Sequence, residues 1–148
     1  MKEELEQKLF DKYPKLFELK ESRASCMCYG ITCGDGWYNI LETLCRKLDS
    51  YNEKKSKQDA EYEPAKFDQI KEKFGQLRIY TLGGDITTYS LISFADTLSG
   101  ITCESCGSPG KMRTKGWWSV RCENCESEYK KVKGIPEDEK DDDEDEED

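Results

Sequence analysis

The chain has 148 residues, 37% of them charged, with a mean hydropathy of −0.91. No apolar run in it approaches the roughly 20 residues needed to cross a bilayer, which excludes a helical membrane span. It also contains no histidine, so the usual general base, the catalytic triad and mixed His/Cys catalytic metal sites are absent.

The net charge of −9 is unevenly placed. Residues 137–148, EDEKDDDEDEED, carry eleven acids and one lysine, so the other 136 residues sum to +1. Seven basic residues fall within 107–134 (Lys111, Arg113, Lys115, Arg121, Lys130, Lys131, Lys133) against Glu123, Glu126 and Glu128, a local balance of +4.

Residues 2–12 space Leu5, Leu9 and Phe10 among Glu and Lys, which predicts a short amphipathic helix that stops before Pro14. Leu16, Phe17 and Leu19 continue its apolar surface. Residues 23–34 are rich in Cys and Gly and predict an irregular segment or short strand. Asp35 then reads as the N-cap of a helix to about residue 51, with Trp37, Ile40, Leu41, Leu44, Cys45 and Leu48 on its buried stripe. Residues 52–65, NEKKSKQDAEYEPA, hold no aliphatic side chain larger than alanine and predict a solvated, flexible linker.

Residues 67–74 and 77–82 flank Gly75-Gln76 and predict a β-hairpin, with a helix over 65–73 as the competitor. After Gly83-Gly84, Asp85 caps a predicted helix carrying Ile86, Tyr89, Leu91, Ile92, Phe94, Ala95 and Leu98, closed by Ser99-Gly100.

Cys103-x2-Cys106 and Cys122-x2-Cys125 follow, fifteen residues apart. Each pair can put two thiolates on one side of an ion, and two such pairs make a tetrahedral site. Four thiolates leave no open coordination position, so the expected cofactor is one structural Zn²⁺, with rubredoxin-like iron as the chemical competitor. Cys26, Cys28, Cys33 and the more distant Cys45 could form a second site, although Cys45 lies on an apolar helical face where a thiol serves as a small hydrophobe. The start, MKEELEQKLFDKYPKLF, has acids where a secretory leader would be basic, and the expected compartment is a cytoplasm with reduced thiols.

The fold expected is α+β: a small helical core with a β-hairpin over 1–100, a docked zinc ribbon over 101–133, and a disordered acidic tail over 134–148. Trp117 and Trp118 sit among Lys111, Arg113, Lys115 and Arg121, a mixture that suits a binding surface. On a strand these indoles would face opposite ways, one packed and one exposed. Asp35 and Asp85 are explained as caps and suggest no enzyme.

Three stretches together resemble a family of small zinc-ribbon proteins encoded by bacteriophages and prophages. They are Cys33-Gly34-Asp35-Gly36-Trp37, Ile70-Lys71-Glu72-Lys73-Phe74-Gly75-Gln76-Leu77-Arg78-Ile79-Tyr80 and Thr102-Cys103-Glu104-Ser105-Cys106-Gly107. The resemblance covers about residues 26–128. The acidic tail and the Cys26, Cys28 pair depart from the pattern and inherit nothing from it. What it implies is a phage accessory protein expressed in the bacterial host cytoplasm, and it carries no agreed biochemical activity with it. Together with the closed metal site, the lack of a catalytic constellation and the segregated charge, it leads to the expectation of a non-enzymatic protein that binds a host macromolecule, most simply a protein of defence, transcription or translation. The alternative is a nucleic-acid-binding ribbon whose acidic tail limits nonspecific attachment. Neither reading involves a membrane or fixes an oligomeric state.

Overall fold

Pro14 disfavours helical geometry at the residue before it, and the first helix, α1 (Glu3–Lys12), ends accordingly, with Tyr13 at φ −128°. The computed structural model describes residues 1–136. Leu9 of α1 and the following Tyr13, Leu16 and Phe17 are all buried. Phe17 lies between Phe10 and Phe67, with ring centroids 4.9 and 5.0 Å away, and Leu16 O accepts the Phe67 N–H at 2.8 Å. The N-terminal segment is therefore part of the core.

A short turn over Cys26–Tyr29 leads to β1 (Ile31–Thr32), and a second turn over Asp35–Trp37 opens α2 (Tyr38–Gln58). The expected stripe is buried at Trp37, Leu41, Leu44, Cys45 and Leu48. Asp35 is not the cap of this helix. Its carboxylate accepts the Lys2 backbone N–H at 2.7 Å and meets Lys2 Nζ at 3.1 Å, so it ties the start of α1 to the turn.

The segment 52–65 also departs from expectation. α2 runs on to Gln58, because its Glu, Lys and Gln residues are good helix formers and Lys57 pairs with Glu53 one turn away. The lack of apolar residues marked a solvated helix instead of a linker. Asn52 is buried and binds both backbone groups of Ala65, donating to its carbonyl at 2.9 Å and accepting its N–H at 3.1 Å, while Tyr62 donates to the same amide oxygen. One side chain thus pins the return loop.

β2 (Lys66–Lys73) and β3 (Gln76–Leu82) form the expected hairpin, and β1 adds in parallel to β2 through Ile31 opposite Ile70. The turn residues are Phe74 and Gly75, at φ 54° and 75°, the two left-handed positions of the hairpin turn whose twist matches that of the strands. Next, α3 (Ile86–Ser99) is capped by Asp85, whose carboxylate accepts from Thr87 N and Thr88 N. It packs through Thr88, Ala95 and Ser99, and Ser99 Oγ takes the Leu77 N–H at 2.9 Å. Ile86, Tyr89 and Phe94 face solvent, so α3 covers the sheet edge and is not buried on all sides.

Beyond α3, β4 (Lys111–Arg113) pairs antiparallel with β5 (Ser119–Arg121), and α4 (Glu123–Lys133) follows directly. The sequence reading had only a ribbon here. Its missing helix has ordinary signals: acids at Glu123 and Glu126 in the first turn, lysines in the last, and Gly134 at φ 68° behind it. Ile135 N closes on Lys130 O at 3.0 Å, so Gly134 and Ile135 belong to the helix end and not to the tail. The acidic run 137–148, expected to be disordered, lies outside the described residues. The fold is α+β, and among the described residues no helix is long and apolar enough to cross a membrane.

Candidate metal centre

The first cysteine pair sits on a tight backbone loop. Gly107 N donates to Cys103 O at 2.8 Å, Cys103 N to Ser108 O at 2.7 Å, and Gly107 takes φ 80°, which a side chain would resist. Glu104 N donates to Val120 O at 2.9 Å and fastens the loop to β5. The second pair opens a helix: Cys122 is the N-cap of α4, with its sulfur accepting the Cys125 N–H at 3.5 Å, and Cys125 lies in the first turn. The centre is therefore built from a loop and a helix start, joined through β4 and β5, and not from two matched ribbon turns.

The four sulfurs lie within 4.8 Å of one another. Cys106 Sγ and Cys122 Sγ are 3.6 Å apart, close to the edge of about 3.8 Å that four thiolates about 2.3 Å from a zinc ion would form. The donor set fits a soft tetrahedral ion and can hold a metal. Ser108, through its hydroxyl and its backbone N–H, brings the Cys106 thiol down to about 6, a step toward the thiolate a metal requires. Burial and the neighbouring thiols push Cys125 up. Cys103 is fully buried, Cys122 and Cys125 are half-buried and Cys106 is exposed, so the cluster lies at the surface.

The core grips this loop through the Gly34-Asp35-Gly36-Trp37 motif. Gly36 N donates to Glu104 O at 2.7 Å, Gly34 N to the Glu104 carboxylate at 2.9 Å, and the buried Trp37 indole N–H to Thr102 O at 2.8 Å. A methyl at Gly36 would collide with the Cys103 carbonyl and stand 2.5 Å from Gly107 N; one at Gly34 would meet Glu104. Burial raises the Glu104 carboxyl above its ordinary value, against the Gly34 hydrogen bond that lowers it. The hairpin motif touches the module from the other side, where a methyl at Gly75 would meet Met112 Sδ and Ser119 Cα.

The expected basic surface is only partly there. Arg113 and Arg121 are 5% and 4% exposed. Arg113 pairs with Glu123 at 2.8 Å, and Arg121 with Glu126 at 2.6 Å while its guanidinium lies over the Tyr129 ring at 4.0 Å. These arginines hold α4 on the ribbon; losing one partner of a buried pair such as Arg121–Glu126 costs about 3–5 kcal/mol. Lys111 is exposed and lies 4.0 Å from Glu123, and Lys115 is half-buried.

Both tryptophans are exposed, correcting the expected division into one packed and one free. Trp117 (68% exposed) and Trp118 (50%) lie in the loop between β4 and β5, not on a strand, after Gly116 at φ 75°. With Glu72, Phe74 and Gly116 they line a cavity of about 470 Å³. Phe74 (66% exposed) meets Trp118 edge-on, with ring centroids 6.3 Å apart. Sequence reasoning missed Phe74 and Glu72, although an aromatic in the Lys73-Phe74-Gly75 turn was a visible oddity.

Cys26, Cys28, Cys33 and Cys45 are not gathered; among the described residues the only cluster of three or more metal-ligating side chains of this kind is Cys103, Cys106, Cys122 and Cys125. Cys26 and Cys28 are exposed, whereas Cys33 and Cys45 belong to the hydrophobic core. Burial pushes the Cys33 thiol up to about 12 and raises that of Cys45 as well, so both are protonated packing groups. Compared with known proteins, the chain matches no family model, no curated protein and no solved structure.

Proposed function

We propose that this protein is a non-catalytic binding protein whose C-terminal module is closed by one structural Zn²⁺ held by Cys103, Cys106, Cys122 and Cys125. The observation that supports the reading is the contiguous exposure of Trp117, Trp118 and Phe74, two of them in the β4–β5 loop of the module that carries the cysteine cluster. Large aromatic side chains in solvent are unfavourable for an isolated molecule and dominate interfaces when a partner covers them. Zinc is the choice among tetrahedral thiolate ions because it has no redox chemistry and suits a closed structural site of four thiolates. The partner is a protein, and the resemblance to phage ribbons makes it a bacterial host protein in the cytoplasm.

The nucleic-acid alternative relied on four cations around the indoles. Two of these, Arg113 and Arg121, are buried against glutamates, which takes them away from phosphates and weakens that reading. No catalytic role is assigned: Asp35 and Asp85 serve backbone N–H groups of Lys2, Thr87 and Thr88.

Affinity capture from bacterial cytoplasm, with and without nuclease, tests the proposal. The expected result is a protein recovered equally in both and lost with the double variant Trp117→Ala, Trp118→Ala, which should keep one metal per chain and its helical circular dichroism. Undiminished capture by that folded variant, or recovery of nucleic acid alone, overturns it.

A further inference from the structure

We propose that the groove between the β2–β3 turn and the β4–β5 loop binds an organic cation, the ammonium or guanidinium head of a basic side chain on the partner. The inference rests on the partner-binding reading and names the chemistry of its anchor.

The lining is three aromatic residues, Phe74, Trp117 and Trp118, and a single ionisable side chain, Glu72. Aromatic faces carry negative potential and attract cations, most strongly at tryptophan. Phe74 and Trp118 meet at 67°, so two walls form a corner instead of stacking flat and covering each other. Lys73 Nζ stands 5.5 Å from the Phe74 ring centroid, so this ring already takes a cation contact within the chain, from a residue outside the lining.

The position of Phe74 adds an independent argument. Its φ of 54° belongs to the left-handed region, where Asn or Gly is usual in this turn and an aromatic residue is strained. Core packing does not explain it, because the ring is exposed. Strain held at an exposed aromatic points to a function for the ring.

Glu72 decides between a cation and an apolar anchor. Its carboxylate is fixed by accepting the Gly75 N–H at 2.7 Å. An aliphatic plug would strip water from that charge and return nothing, whereas a cation pairs with it while its methylenes cover the indoles. A volume of about 470 Å³ accommodates both head and stem.

The test uses the full metal-loaded chain and the tryptophan indole N–H resonances, titrated with choline and with 3,3-dimethylbutan-1-ol, its uncharged isostere. Trp37, buried with its N–H on Thr102 O, is the internal control. The expected result is saturable movement of Trp117 and Trp118 with choline, about tenfold weaker binding of the neutral isostere, and no movement of Trp37. Glu72→Gln keeps an acceptor for Gly75 but removes the charge, and should weaken choline several-fold with the Trp37 resonance unmoved. Equal binding of both probes, or an unaltered response in Glu72→Gln, overturns the cation site while leaving capture through the indoles standing. Absence of any movement also overturns it, and failure of the capture experiment is read separately on the Trp117→Ala, Trp118→Ala variant.

Discussion

Gly36 and Gly100 separate two reasons for a glycine. At Gly36 there is no room, since an added methyl meets the Cys103 carbonyl and Gly107 N, both backbone atoms that cannot rotate away. At Gly100, in right-handed helical geometry with φ −65°, a methyl meets only Thr97 O at 3.3 Å. Gly36→Ala should therefore lower stability by on the order of 2–3 kcal/mol and loosen the metal loop, whereas Gly100→Ala should stay within about 0.5 kcal/mol. Denaturant titration with metal content measured alongside checks both. The same residue scale explains Arg113 and Arg121, whose sequence neighbours suggested a basic surface. Arginine on a strand in a module with little core serves as well as a buried clamp, and only the positions of Glu123 and Glu126 tell the two uses apart.

Between elements, α1 and α2 are joined at a polar contact that titrates. Glu42 of α2 accepts from Lys12 Nζ at 2.6 Å and from the Tyr13 hydroxyl at 2.8 Å, and these bonds, Lys12 first, hold its carboxyl below the ordinary value of 4.5. A carboxyl depressed in the folded state stabilises it fully above its unfolded value, and that contribution disappears as pH falls through the lower native one. The stability difference between the natural chain and Glu42→Gln should thus be constant at neutral pH and shrink below about pH 4.5, as read from denaturation midpoints between pH 7 and pH 3. At this scale the sequence served well where period and caps agreed: α1 stopped before Pro14, α2 buried its stripe, and Asp85 capped α3. It failed at 52–58 because a helical stretch whose one buried side chain is the polar Asn52 has no hydrophobic period to show. It failed again at α4, where Cys125, Tyr129 and Val132 are the only apolar side chains and show too weak a period to mark a helix.

The metal module is held to the core along two fronts, the Gly34–Trp37 turn on one side and the hairpin tip on the other. α4 has only 11 residues and begins at two of the four sulfurs; a helix of that length is marginal alone. Removing the metal should consequently melt α4 and release Trp37 from Thr102, with loss of helical circular dichroism, a red-shifted tryptophan emission and a fall in Tm of about 10 °C or more, at about 2–4 °C per kcal/mol. Because thiolates must compete with protons for the ion, acidification should produce the same state without a chelator. A chelated sample that keeps α4 and its Tm would show that the four cysteines contribute only packing.

The sequence by itself determined the elements with strong local chemistry: the four-cysteine cluster by its spacing, the hairpin by its alternation, and α1, the start of α2 and α3 by apolar period and flanking residues. Those signals act between residues a few positions apart, so they survive without coordinates. Tertiary structure alone decided which cations are spent inside, that both indoles stand in solvent, and that Phe74 and Glu72 complete their groove. The groove depends on distant segments meeting, Phe74 with Trp118, and no local pattern encodes a contact made across so much chain; the arginine pairs are closer in sequence, but they form only because α4 folds back on β4 and β5.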